Sequence, residues 1–247
     1  MKRSACALFV AVLAAATLTM ALASSPLQTG TGTIKGKVRL TGKLPGNPVI
    51  RMGMDPKCNE MNKGKQTVNE KVKATIDGSL ANVFVHLEGK LPSTPVPKTP
   101  VVIDQHACIY TPRVVGVRVG QTLEIRNSDN LMHNVHSVTN LNNGFNVAQT
   151  KAGAVNSFTM KSEEVMLRIG CDVHNWMFAW VGVVANPYFA VTDNAGSFQI
   201  TGVPPGTYTI DAWQEVYGTV KQSVKVTAGG TATVDFTYTG NEKPSGK

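Results

Sequence analysis

Residues 101–184 are built from short β-branched runs that glycine, asparagine and aspartate interrupt before any run can reach helical length. VVID (101–104), RVVGVRV (113–119), TLEIRN (122–127), NSFTM (156–160), VMLRIG (165–170) and WVGVV (180–184) each suit a pleated, half-buried strand. From Tyr188 the rhythm restarts, with turns at Asn194-Ala195-Gly196 and Pro204-Pro205-Gly206. Upstream, TIKGKVRL (33–40) and LANVFVHL (80–87) are two further strands, and the lysine-rich stretch 51–79 around Cys58 reads as a solvated loop. Pro92, Pro95, Pro97 and Pro100 enforce extended backbone and mark a boundary. The spacing predicts an all-β chain of sandwiches or barrels, with no heptads and no long helix.

The first residues carry a different message. Lys2 and Arg3 precede an uncharged, alanine-rich stretch from Ala5 to the small-residue ending Ala21-Leu22-Ala23, the three-part pattern of a cleaved export signal. An uncleaved anchor is the alternative, since about 18 apolar residues can span a bilayer. Cleavage after Ala23 predicts a periplasmic or secreted chain without stable membrane insertion. It also lowers the formal charge from +8 by the two cations removed. The remaining basic excess forms no arginine-rich stripe, which excludes a nucleic-acid partner. Cys6 leaves with the signal, so Cys58, Cys108 and Cys171 remain, an odd count for an oxidising compartment. A Cys58–Cys108 disulfide is expected, because both lie outside the segment around Cys171. A second metal site on His106 and Cys108 is the alternative.

Cys171, His174 and Met177 place a thiolate, an imidazole and a thioether at i, i+3 and i+6 directly after a strand. Upstream, His133 and His136 lie beside the end of another strand. Cysteine, two histidines and a weak axial methionine are the donors of a blue-copper electron-transfer centre, where soft sulfur suits Cu(I) and imidazole suits both oxidation states. Zinc also takes Cys-x-x-His, but it does not use methionine, and no second Cys-x-x-Cys follows. Taken singly, Met177 is a core filler and the two histidines are ordinary loop residues. Asp193, Asp211 and Glu215 form no defensible carboxylate pair, and neither a serine elbow nor an HExxH helix occurs. Five histidines are too few for a trinuclear copper cluster, so an enzyme is not expected.

These two segments resemble the cupredoxins, and in loop length the amicyanin type: Cys171, His174 and Met177 match Cys-x-x-His-x-x-Met, and His133-Asn134-Val135-His136 matches the first ligand string. The resemblance covers roughly residues 100–186 and implies a Greek-key β-sandwich holding one copper ion that cycles between Cu(I) and Cu(II). It implies His133, Cys171, His174 and Met177 as ligands, His136 as a bystander, and Asn134 as the residue tying the two ligand loops together. Met132 and Asn175 stand where the family has proline, which bears on the reduction potential and on the mobility of His174. Residues 190–213 resemble the carboxypeptidase regulatory-like domain, a transthyretin-like β-sandwich without chemistry of its own, and residues 33–45 resemble its opening strand.

The expected organisation is a signal (1–23), an N-terminal β region (24–99), a cupredoxin domain (100–186), a regulatory-like domain (187–240) and a tail (241–247) that looks disordered. The regulatory-like domain is either continuous or a single sandwich, to which the N-terminal region lends strands, with the copper domain inserted. The expected function is electron transfer between redox partners such as a c-type cytochrome. Copper delivery or storage, and a surface carbohydrate-binding or adhesion module with incidental copper, are the alternatives. His174 is expected to lie nearer solvent as the electron exit, rimmed by Met132, Trp176 and Phe178, with the positive charge steering an acidic partner.

Overall fold

The structure, a computed structural model, describes residues 30–92 and 94–242; the expected export signal, residues 1–23, lies outside them. Strands follow in the order β1 (Gly32–Leu40), β2 (Phe84–Leu87), β3 (Val101–His106), β4 (Ile109–Thr111), β5 (Val114–Arg118) and β6 (Thr122–Asn127). Then come β7 (His133–Val138), β8 (Asn146–Gln149), β9 (Ala154–Thr159), β10 (Glu164–Gly170), β11 (Phe178–Val184) and β12 (Phe189–Val191). β13 (Ser197–Val203), β14 (Gly206–Gln214), β15 (Gly218–Val226), β16 (Thr231–Thr233) and β17 (Phe236–Tyr238) complete the series. One helix, α1 (Pro56–Met61), interrupts it between β1 and β2.

These strands make two β-sandwiches. In the first, a sheet of order β13-β1-β16, with β17 also paired to β1, and a sheet of order β12-β2-β14-β15 share a core that includes Ile34, Val38, Leu87, Ile210, Phe236 and Tyr238. In the second, β5-β11-β10-β7-β8 and β4-β3-β6-β9 enclose Ile103, Leu123, Ile125, Val135, Leu167 and Val181. The second sandwich is therefore an insertion between β2 and β12, which pair antiparallel in the first. Alternation of apolar and polar residues along each strand gives each sheet one face to bury.

The two sandwiches meet on Phe84, Val114, Met166 and Val184, with Trp180, Phe189 and Trp213 packed against them. Gly116 and Gly182 are register partners on β5 and β11. A Cβ on Gly182 would lie 2.4 Å from the Phe84 ring and one on Gly116 2.2 Å from the Phe189 ring, so only glycine lets the rings lie flat there. The Arg113 guanidinium grips Glu215 with two 2.8 Å hydrogen bonds, and Trp180 Nε1 donates to the same carboxylate. Among the described residues, no helix is long and apolar enough to cross a membrane.

Three features differ from expectation. The stretch 51–79 is not a simple solvated loop: it carries a 3-10 turn (Met52–Met54) and α1, and it buries Met52 and Cys58 in the core of the inserted sandwich. Strands β4, β7 and β8 carry too many polar side chains to stand out by apolar alternation. The tail begins ordered, with the Glu242 carboxylate accepting from the amides of Thr239 and Gly240, while residues 243–247 lie outside the described residues.

The β7–β8 connection hangs on one buried carboxylate. Glu164 accepts from Thr139 Oγ1, from the amides of Asn140 and Leu141, and from Asn142 Nδ2. Burial opposes its charge, but these donors outweigh that and hold its pKa below the usual range. A depressed carboxyl pKa adds stability above its unfolded value of about 4.3, and that stability is lost as pH falls through the folded value. Glu164→Gln should cost about 1–3 kcal/mol at neutral pH, read by urea unfolding, and the gap to the parent protein should close in acid.

Candidate metal centre

The β10–β11 connection runs from Cys171 to Met177 and is closed by two backbone hydrogen bonds, Cys171 N to Met177 O (3.1 Å) and Met177 N to His174 O (2.8 Å). This folds the loop tightly and buries Cys171, His174 and Met177 together. His133 opens β7 and is wholly buried. Asn134 follows it; its amide N–H donates to Cys171 Sγ (3.5 Å), its side-chain oxygen accepts from the Asp172 amide, and its Nδ2 donates to Asp172 Oδ2 (3.1 Å). One asparagine thus spans both loops.

Three donor atoms converge. His133 Nδ1 lies 3.1 Å from His174 Nδ1, Cys171 Sγ lies 3.8 Å from His174 Nδ1, and the three atoms are all within 4.8 Å of one another. Nitrogen and sulfur donors roughly 2.0 and 2.3 Å from a common ion, spread around it, would sit about 3–4 Å apart. The spacing therefore fits one ion between them. Met177 lies in the same core cluster. His136 points elsewhere: it is half-exposed and pairs with Asp172 at 2.9 Å.

Each histidine turns its outer nitrogen to a carboxylate. His133 Nε2 meets Asp129 Oδ2 at 2.9 Å, and Asp129 also accepts from the amides of Ala107 and Cys108. His174 Nε2 meets Asp55 Oδ2 at 3.1 Å, while Asp55 Oδ1 caps α1 by accepting from the amides of Lys57 and Cys58. A carboxylate on the outer nitrogen fixes tautomer and ring orientation and raises ligand basicity. Cys58 and Cys108 form a disulfide, so one crosslink joins the helix start that carries Asp55 to the turn whose amides hold Asp129. The Cys58 sulfur lies 3.6 Å from His174 Nε2.

The electrostatics follow. Burial disfavours the Cys171 thiolate, yet hydrogen bonds from both imidazoles and from the Asn134 amide bring its pKa down to about 6. Burial likewise opposes a charged His133, but Asp129 and the Cys171 sulfur lift it to about 9. His174 is raised in the same way, burial being outweighed by Cys171 and Asp55. Without metal the cluster is a thiolate held between two basic imidazoles, whose protons metal binding would displace.

The neighbourhood corrects two expectations. His174 is not near solvent: it is 2% exposed, because the strap around α1 lies across its outer edge. Phe178 is no surface rim; it is buried beneath the guanidinium groups of Arg113 and Arg168. Met132 is 46% exposed, and Trp176 tilts against the His174 ring while its Nε1 donates to the Cys108 carbonyl. Cys108 is committed to the disulfide, and the exposed His106 lies 3.8 Å from Asp129. Sequence reasoning missed Asp55 and Asp129. An Asp-Pro helix start at residues 55–56 was the available signal for the first; Asp129 offered none.

Residues 181–239 match the carboxypeptidase regulatory-like domain. That span contains β12–β17, and β1 and β2 complete their sandwich from far upstream. The chain matches no protein of curated function in sequence. Among solved structures, a purple cupredoxin from Nitrosopumilus maritimus is 22% identical over 34% of this chain and 98% of its own, with a TM-score of 0.30. A methionine-to-alanine variant of amicyanin in the Cu(I) form is 21% identical over 40% of this chain and 97% of its own, at 0.31. A copper-containing nitrite reductase from Thermus scotoductus SA-01 is 17% identical over 38% of this chain, with a TM-score of 0.33. This chain spans 24% of that reductase's length.

Proposed function

We propose that this chain is an exported blue-copper protein that carries single electrons between redox partners and is not an enzyme. The observation that carries the reading is the buried convergence of His133 Nδ1, His174 Nδ1 and the Cys171 thiolate, with Met177 in the same core. A bound copper ion would supply the one-electron Cu(I)/Cu(II) couple. The chain's part is to hold the donors still in both oxidation states. Asp129 and Asp55 lock the imidazoles from behind, Asn134 fixes the Cys171 sulfur, and the disulfide prevents the carboxylates from drifting apart. A donor set this tightly buttressed suits an ion that changes charge with little movement.

Retention also separates this reading from copper delivery, which needs a ligand that opens readily. Here both histidines are buried and the strap is covalently pinned over one of them. The disulfide accords with an oxidising compartment such as the periplasm.

The test is the visible spectrum and cyclic voltammetry of the Cu(II)-loaded protein. An intense thiolate-to-copper band and a reversible one-electron wave are expected. Equal affinity for zinc and copper with no such band would overturn the reading. His136→Ala should leave the band unchanged, since that ring faces Asp172 and solvent. His133→Ala should remove it. The reverse result would reassign the ligand within the His133–His136 string.

A further inference from the structure

We infer that the strap of residues 51–65, which covers His174, is the surface on which this protein docks an acidic one-electron carrier. This rests on the copper reading above and locates the partner's contact.

The geometry first removes the simpler exit. His174, the loop histidine nearest the surface in sequence terms, has no exposed edge; its outer nitrogen ends on Asp55 at 3.1 Å, and Asp55 begins α1. The hydrogen-bonded path from the ring toward solvent on this side therefore leads through Asp55 into the strap. Trp176 is the competing route, because its ring lies 5.2 Å from that of His174. It lines a cleft of about 410 Å³ together with Asn69, Tyr110 and Arg113.

The composition of the strap then identifies what it would meet. Arg51, Lys57, Lys63 and Lys65 are exposed, and none takes part in any ion pair among the described residues. Of the two acids in the strap, Asp55 is turned inward onto His174 and Glu60 alone is exposed. On the same strap Met54 is 94% exposed and Met61 also faces solvent; a groove is lined by Lys57, Glu60, Met61 and Asn130, and Asn130 lies two residues before the exposed Met132. Flexible apolar side chains within a charged rim form the anatomy of a small transient interface. Four unpaired cations on one short strap, against the single exposed acid Glu60, steer an anionic surface toward it and repel a second copy of the same face, effects that salt screens.

The step itself transfers one electron from Cu(I) at the centre to an oxidised one-electron acceptor; no atom or proton moves. The experiment uses the full, copper-loaded, reduced chain and two probes of opposite charge, ferricyanide and tris(phenanthroline)cobalt(III). Lys57→Glu combined with Lys63→Glu should keep the visible band and midpoint potential. It should slow oxidation by ferricyanide about tenfold and accelerate oxidation by the cobalt complex, both differences shrinking as salt rises. Amide shifts on adding an acidic c-type cytochrome should fall on residues 51–65.

A variant with an intact band and both rate constants within about twofold of the parent overturns the docking assignment and leaves the copper reading standing. The same holds if Trp176→Phe slows both probes and the strap variant slows neither. Absence of the band in the parent protein defeats the copper reading, and the docking assignment falls with it.

Discussion

Cys171→Ser abolishes the intense visible band of the copper-loaded protein and takes most of the copper affinity with it. The band needs a thiolate bound to Cu(II), and serine supplies a hard hydroxyl that stays protonated at neutral pH. In the parent protein the environment favours the ionised sulfur: burial opposes it, but the two imidazoles and the Asn134 amide win and bring the pKa down to about 6. Serine fits the same space but stays protonated, so the apo protein loses the stability that the favoured thiolate contributes and should unfold at a modestly lower denaturant concentration at neutral pH. Spectra, a competition titration against a Cu(I) chelator, and urea unfolding of the apo form read the three quantities separately. A serine variant that kept the band would remove Cys171 from the ligand set.

The second large effect is expected from Cys58→Ala combined with Cys108→Ala. The two cysteines close a loop of sequence separation 50, so in the chain-entropy model their loss costs about 4 kcal/mol. The crosslink also has a local task. The Cys58 amide donates to Asp55 and the Cys108 amide donates to Asp129, so each of the two carboxylates that grip the ligand histidines is held by one end of the crosslink. Ala107 and Cys108 both adopt left-handed backbone conformations, φ 50° and 57°, to point successive amides at Asp129. Such conformations cost energy in non-glycine residues and persist only where the surroundings impose them. Without the disulfide, copper should dissociate faster as well as the fold weakening. Unfolding of the apo protein and the rate of copper loss to a chelator separate the two effects. A variant that loses stability but holds copper as long as the parent would reduce the bridge to a plain staple.

What the sequence makes legible and what it hides divide along physical lines. Strands such as Val114–Arg118 and Glu164–Gly170 are visible because β-branched residues crowd them and glycine or asparagine ends them. Strand His133–Val138 is hidden because its buried positions include the polar His133, Asn134 and Ser137, whose burial depends on partners in other segments. Cys171, His174 and Met177 are visible because one short loop carries them at fixed spacing. Asp55 and Asp129 are hidden because carboxylates are common, and their meaning lies in a partner across the fold. The 51–79 stretch is the clearest lesson. Its lysines do face solvent, but Met52, Asp55 and Cys58 face inward on the same short segment, and composition averages the two faces into one.

The position of the inserted sandwich has a consequence for how the chain becomes folded. Gly36 pairs with Phe198, Val38 with Phe236, and His86 with Phe189. Both early strands therefore wait, with bare edges, until the whole insertion and the later strands have been delivered. Pairings of such long sequence separation make folding slow, because chain entropy is lost before the contacts compensate it. The insertion's own strands are closer in sequence and can close first, bringing the ends of β2 and β12 together. The expected order is inside first and outside last, with an interval in which β1 offers unpaired edges to any neighbouring chain.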